Sequence, residues 1–475
     1  MKKSIRSVAL ATTAFGLIAL TVPASASVAR GSGLVGDPDL TASTASVTVA
    51  GSTFDAPLIQ LETASFTVNK IRTFGLADGK VTFSPNPYPT SGTNSGSGYG
   101  RGAVTQTSGG FGFLATVGFS DQPIDATAGT APTFQVGDSL ANYVQVPYAL
   151  GGGVIAYNLP GIVGLHLTPT VIAEIYDGAI TSWADPQILG LQSPANAGFI
   201  KSLSAANKQI NVAARSGGGG TNFAFEQYLS DYATANKAAN SSCTGTYAIN
   251  AKTGTAADKT APFKTCYFPS SVPEKYFGKQ IGKAYGWNSA NTTDSSGTTV
   301  NTDAALGTTY NLNIESGNGQ MVSFIEGNPG AFGYVEASYV LLAQDKNLQM
   351  ALLPNALTNA WMPFTTKGVS AAAAAAGTLS TSNFDINNQT NAAAWPFATF
   401  SWAIVPKNSD GGTDAPGNAA LDAAVKFLDW NAGKAGSILA PAAGYAPLPT
   451  AVQTYADNAL ATVMCGSTAC LNLAN

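Results

Sequence analysis

The sequence predicts an α/β protein of two domains, and three observations carry that expectation. The chain has 475 residues, more than one hydrophobic core usually serves. Small-residue turns recur, at 51–57 and 215–222 between an apolar strand and a helix, at 95–104 after a Pro/Ser/Thr/Gly loop, and at 119–123 where a strand ends in an acidic residue before proline. Two long apolar segments, Tyr143–Tyr157 and Phe397–Val405, read as strands that carry the chain from one domain to the other and back.

In chain order, Lys2, Lys3 and Arg6 precede an apolar run from Val8 to Val22, and then comes Ala24-Ser25-Ala26. This is the pattern of a secretory signal peptide over 1–26 with a small-residue cleavage site. A retained anchor helix is the other reading, but the run is short for a span. No later stretch is apolar enough to cross a bilayer, so a soluble periplasmic or secreted protein is expected. No cysteine lies just after the signal, and no lipid anchor on such a residue is expected. Cleavage removes three positive charges and takes the formal charge from −4 to −7. That acidity, with no basic patch among aromatics, argues against a nucleic-acid partner. Only 11% of residues are charged, against roughly a quarter in ordinary domains, so an Arg or Asp set in a Gly/Ser turn stands out. Export makes disulfides plausible, and the local pairings Cys243–Cys266 and Cys465–Cys470 are favoured over crossed ones. His166 is the sole histidine, in a loop-like stretch, and reads as a packing or solvated residue. No metal-ligand cluster and no cofactor motif is visible.

Ser46–Ala50 alternates as a strand and runs into Gly51-Ser52-Thr53-Phe54-Asp55-Ala56-Pro57, with Pro57 suited to the first turn of the next helix. Here the Thr53 hydroxyl and the Phe54 N–H could face an anion; Thr53 as a plain N-cap is the structural alternative. Ser95–Val104 is a second small-residue turn, with Ser97 as a hydroxyl donor or merely part of a flexible loop. A third strand ends at Asp121 before Gln122-Pro123, and this Asp either makes an Asx turn or accepts a proton from a bound anion. The fourth junction dominates. Gln209–Ala214 reads as a strand, Arg215-Ser216-Gly217-Gly218-Gly219-Gly220-Thr221 follows, and Phe225, Tyr228 and Leu229 mark a buried helix face. Glycines there bare backbone N–H groups at the positive end of a helix, and Arg215 offers a fork of donors matching two oxygens of one tetrahedral anion. A Gly-rich surface turn beside an ordinary arginine is the plainer reading.

Further on, 167–178 is expected to be an amphipathic helix, and 231–310, rich in Asn, Thr, Ser and Gly, an elaborated insertion. Helices are expected at Met321–Glu326, Tyr339–Ala343 and Leu421–Trp430, and a strand ends at Val335. Ala371–Ala376 is low-complexity, helix or loop.

These stretches, in this order, resemble the substrate-binding protein of the bacterial phosphate ABC transporter. The likeness runs through Ala50–Phe54, Gly96–Gly100, Phe119–Pro123, Ile175–Trp183, Arg215–Thr221, Pro329–Glu336, Phe427–Trp430 and Tyr445–Pro449. The resemblance implies a type II periplasmic-binding-protein-like clamshell of two domains, mixed sheets flanked by helices, with two crossover strands near Val146 and Phe397. Domain I would be 27–146 plus 398–475 and domain II 147–397. It implies a dehydrated phosphate held by Thr53, Phe54, Ser97, Asp121, Arg215, Gly219, Gly220 and Thr221, no catalysis, a monomer, and a membrane permease as partner. Gly217 and Gly219 stand where the family run has Asp and Ser. Losing one hydroxyl donor to a charged oxygen costs roughly 1.5–3 kcal/mol, and losing the Asp removes the usual orienter of the arginine. The alternatives are a receptor for another tetrahedral oxyanion, such as sulfate or molybdate, a secreted phosphatase, and a surface protein whose turns bind nothing.

Overall fold

The structure is a computed structural model that describes residues 45–73, 81–91, 95–105, 115–123, 142–176, 180–215, 220–236, 300–301, 311–343, 345, 347–377, 385–409 and 417–471. The expected signal peptide, Gly217, Gly219, Cys243, Cys266 and most of 231–310 lie outside them.

β1 (Ala45–Gly51) buries Ala45, Val47 and Val49 while Ser46 is exposed, the period of a half-covered strand. It leads through the proline-bearing turn into α1 (Ala56–Thr73), then β2 (Val81–Ser84), α2 (Ser97–Thr105) and β3 (Val117–Ser120). The second turn of the sequence is therefore helical from Ser97 onward. Its glycines serve packing: a Cβ on Gly100 would lie 2.4 Å from the Phe119 carbonyl oxygen and 2.6 Å from Gly51 Cα. Only glycine lets α2 lie this close on the strands beneath.

β4 (Tyr143–Asn158) carries the chain out, and α3 (Pro169–Tyr176) follows. The amphipathic expectation fails at α3, since every residue but Thr170 is buried. The helix packs on α7 (Gly220–Asn236), and its Tyr176 hydroxyl donates to the Ala213 carbonyl and accepts from the Tyr334 N–H, so no face is left for water. Three short helices precede α7 in the chain, α4 (Pro186–Leu191), α5 (Pro194–Ser202) and α6 (Ala205–Lys208), capped by Asp185, Ser193 and Ser204. β5 (Asn211–Arg215) then feeds α7, whose last residues reach into the 231–310 region. Beyond it come β6 (Val300–Asn301), β7 (Asn311–Glu315), α8 (Asn318–Gly327), β8 (Ala331–Glu336), α9 (Ala337–Ala343), β9 (Leu348–Met350), a hairpin of β10 (Leu353–Pro354) and β11 (Trp361–Met362), and α10 (Thr366–Ala375). The alanine run is thus helical. β12 (Ala398–Pro406) brings the chain back to α11 (Asn418–Ala432), α12 (Lys434–Ala442), α13 (Thr450–Leu460) and the small ribbon of β13 (Met464–Cys465) and β14 (Thr468–Ala469), closed by the Cys465–Cys470 disulfide.

The strand order is β2-β1-β3-β12-β4-β8-β5-β7-β6, with β9 also on β4. β1, β2 and β3 run parallel, as do β8, β5 and β7, and the two groups are joined through antiparallel β12 and β4. β4 changes partner midway: Tyr143–Leu150 faces Phe400–Pro406 of β12, whereas Gly153–Tyr157 faces Phe332–Glu336 of β8. A Cβ on Gly151, Gly152 or Gly153 would meet Phe54 at 2.7 Å, Phe364 at 2.5 Å or Phe397 at 2.1 Å. Three aromatic rings thus seat directly on the backbone at the point of exchange. The result is an α/β clamshell, two sheet-and-helix lobes sharing two crossover strands, with one apolar core extending through both.

Candidate functional site

Each wall of the site is built where a strand stops. On the first lobe β1 ends at Gly51, whose φ of +129° and 2.1 Å Cβ-to-carbonyl clash with Phe119 admit only glycine. The turn that follows is held from several sides. The Ser52 N–H donates to the Phe119 carbonyl at 2.9 Å, and the Phe54 N–H to Ser52 Oγ at 2.9 Å. The Thr53 carbonyl accepts from the Tyr339 hydroxyl at 2.5 Å, and the Phe54 carbonyl accepts from Tyr445. With both carbonyls engaged, the turn presents hydroxyls to the space between the lobes. β3 delivers Asp121, whose N–H donates to Ser97 Oγ at 3.0 Å, at the first residue of α2.

On the second lobe β5 ends at Arg215, 2% exposed. Its N–H donates to the Tyr334 hydroxyl at 3.1 Å, and Tyr334 in turn donates to Asn222 Oδ1 at 2.5 Å. Arg215 Nη1 donates to Thr221 Oγ1 at 2.7 Å, while Nε is buried with no hydrogen-bond partner. α7 starts at Gly220, so the positive end of its dipole faces the same place.

The walls meet on Asp121. Ser52 Oγ donates to its Oδ1, and Thr221 Oγ1, from the opposite lobe, donates to Oδ2 at 3.0 Å. The Gly220 N–H crosses to Ser97 Oγ at 3.1 Å. A Cβ on Gly220 would stand 2.3 Å from Ser97 Oγ and 2.7 Å from Asp121 Cβ, so glycine is what lets the lobes approach. Thr53, Phe54, Ser97, Asp121, Arg215, Gly220 and Thr221 are therefore brought together; Gly219 lies outside the described residues. The Phe54 N–H is turned onto Ser52. Sequence reasoning missed two members, Ser52 and Asn318. Asn318 lies in Gly317-Asn318-Gly319, one more small-residue junction between a strand and a helix, which was the available signal.

The electrostatics follow from burial. Burial pushes the Asp121 carboxyl up, opposed by Ser52, the Arg215 charge, Thr221 and Ser97. Burial also lowers Arg215, opposed by the Asp121 charge. Asp55 and Glu336, buried close by, are pushed well above the carboxylate range, first by loss of water and then, for Asp55, by the charge of Asp121. The site is thus a dry array of hydroxyl, amide and guanidinium donors around a single carboxylate in contact with them. His166 takes no part; its ring stacks on Trp361 at 4.4 Å and its Nδ1 bonds the Leu191 carbonyl at 2.8 Å. Among the described residues no group of three His, Cys, Asp or Glu side chains could hold a metal ion, and no helix is long and apolar enough to cross a membrane.

The profile of the PBP superfamily domain matches residues 39–433. The chain is 40% identical over 89 residues to the phosphate-binding protein PstS of Haemophilus influenzae, covering 18% of this chain and 24% of that one. It is 37% identical over 120 residues to PstS of Xylella fastidiosa, covering 24% and 28%. The aligned part therefore spans about a quarter of the length of these curated relatives. Among solved structures, an ancestral soluble variant of the human phosphate-binding protein superposes with a TM-score of 0.52 at 14% identity, over 90% of this chain and 96% of that one. That likeness shows a shared fold, the type II clamshell. On the extent of the profile match, the chain belongs to the PBP superfamily.

Proposed function

We propose that this chain is an extracytoplasmic receptor for inorganic phosphate, closing its lobes over the anion and delivering it to the membrane permease of an ABC importer. The observation that carries this is the convergence of donors from both lobes on buried Asp121, with Thr221 reaching it at 3.0 Å from across the cleft. Its similarity to proteins named for phosphate binding supports the same reading. The lobes would be 27–146 with 398–475, and 147–397, working as a monomer.

In this reading Thr53, Ser97, Thr221, the N–H groups of Phe54, Gly219 and Gly220, and the Arg215 fork donate to the phosphate oxygens, with the Phe54 N–H, the Gly220 N–H and the Thr221 hydroxyl exchanging Ser52, Ser97 and Asp121 for the anion. Asp121 accepts. Phosphate near neutral pH keeps at least one proton for that carboxylate, whereas sulfate has none and would set an unpaired negative charge against it in a dry site. Without a carboxylate at position 217, Arg215 donates from its guanidinium to the Thr221 hydroxyl and from its backbone N–H to the Tyr334 hydroxyl. That leaves its positive charge for the guest. The chemistry proposed is binding, with no covalent step.

Calorimetry of the mature chain with phosphate, arsenate and sulfate tests this. Tight binding of the first two and none of the third is expected. Tight binding of sulfate or molybdate in preference to phosphate would move the assignment to another tetrahedral oxyanion. Hydrolysis of a chromogenic phosphate ester, abolished by Ser97→Ala, would move it to an enzyme.

A further inference from the structure

We propose that Asn318 is a positioning residue of the anion site: its side-chain amide turns the hydroxyls of Thr53 and Thr221 into pure donors and links them across the cleft. This rests on reading the site as an oxyanion receptor. Asn318 is fully buried at the first residue of α8. Its orientation is set by its surroundings, because Oδ1 accepts the Glu336 N–H at 3.1 Å. The two Nδ2 hydrogens are then aimed at Thr53 Oγ1, 3.3 Å away on the first lobe, and Thr221 Oγ1, 3.2 Å away on the second. The Asn318 backbone N–H also reaches Thr53 Oγ1 at 3.4 Å. No side chain of the second lobe caps α8 at Gly317, so the cap acceptor comes from the facing lobe.

A hydroxyl has one hydrogen and two lone pairs. Thr221 Oγ1 receives Arg215 at 2.7 Å and Asn318 at 3.2 Å, which uses both lone pairs and sends its hydrogen to Asp121. Thr53 Oγ1 receives two N–H groups of Asn318, which leaves only its hydrogen to offer. Two groups that could have faced an anion with a lone pair are thereby kept from doing so. Because one amide holds a threonine of each lobe, the arrangement forms only when the lobes are together. Donor alignment and closure become one event.

The test is calorimetry of the full chain with inorganic phosphate, on Thr53→Val, Asn318→Ala and the double variant, with thermal melts to verify folding. Each single change is expected to weaken binding about 10- to 100-fold, and the double change no more than the worse single one, because both remove the same alignment. Asn318→Asp keeps the acceptor for Glu336 N–H but loses the donor pair, and is expected to weaken binding at least as much as Asn318→Ala. Losses that multiply in the double variant, or unimpaired binding by Asn318→Asp, would overturn the role of Asn318 alone. Failure of the unmutated chain to bind phosphate would overturn the receptor reading and this proposal with it.

Discussion

Asp121 and Glu62 are both buried carboxyls of the first lobe, and their company could hardly differ more. Glu62, on α1, accepts from the hydroxyl of Tyr148 on the crossover strand β4 at 2.7 Å and from Asn431 Nδ2 of α11, in its own lobe, at 2.7 Å. Loss of water pushes its pKa up to about 7, and those two neutral partners only partly oppose this. Asp121 takes one hydroxyl from its own lobe and one from the other, beside a buried arginine of the second lobe. A carboxyl that serves stability needs nothing from across a cleft. One whose partners are divided between two lobes ties their approach to the chemistry between them, as the proposed receptor requires.

The most demanding way to break this contrast is Asp121→Asn. The amide keeps the volume but can donate, so the exclusion of sulfate, on the order of 10⁴-fold, is expected to collapse while phosphate binding survives in weakened form. Parallel titrations with the two anions check it. The same logic has a pH form. Because burial raises Asp121, its carboxyl takes up a proton at a higher pH than an exposed aspartate does, so on acidification discrimination against sulfate is expected to shrink in the unmutated chain but stay flat in the variant.

Removing the cation should cost nearly as much. Arg215→Ala removes the positive charge that opposes the burial of Asp121 and a fork of charged donors to the anion, each such hydrogen bond worth about 1.5–3 kcal/mol. A loss of about 10³-fold in phosphate affinity is expected, together with a lower melting temperature in the anion-free chain.

Glu62→Gln should act only on stability, and this is where the comparison sharpens. Raised from 4.5 in the unfolded chain to about 7 in the fold, Glu62 contributes stability that is complete below about pH 4.5 and lost as pH rises through 7. The loss amounts to about 3 kcal/mol. The glutamine variant is expected to melt higher than the parent at pH 8, with a shallower pH slope and unchanged phosphate affinity. A change in affinity would blur the distinction between core and cleft.

The mildest change is Gly220→Ala. One methyl group against Ser97 and Asp121 costs about 1–3 kcal/mol, and it is felt only when the lobes close. Affinity is expected to fall about 10- to 100-fold with the melting temperature of the anion-free chain nearly unchanged.

Much of this architecture was legible in the residues. Alternation in Ser46–Ala50, the proline after Phe54, and the helix face at Phe225, Tyr228 and Leu229 are local signals that the fold obeys. The four junctions were legible because a strand that must turn into a helix beside another backbone needs small residues there. Two stretches misled. The glycines of 96–102 read as a turn, but from Ser97 onward they belong to α2, where Gly100 lies against the strands, and α3 has a helical period with no solvent face, since a neighbouring helix and the sheet cover it. Ser52 and Asn318 escaped notice because a hydroxyl or an amide has no meaning until its partner is known, and Asn318 meets Thr53 across 265 positions of chain.

What the sequence determined by itself was therefore local: where strands and helices start, which turns can bare their backbone, and that the chain exceeds one core. Those depend on side-chain shape and spacing over a few residues. Only the tertiary structure decided that four separated turns share one dry space and that Asp121 faces a hydroxyl from each lobe. It also decided that the Arg215 guanidinium meets the Thr221 hydroxyl while its backbone N–H meets Tyr334. Such pairings are chosen by which backbones can approach closely enough to exclude water, and that is settled only when the two lobes pack around their shared strands.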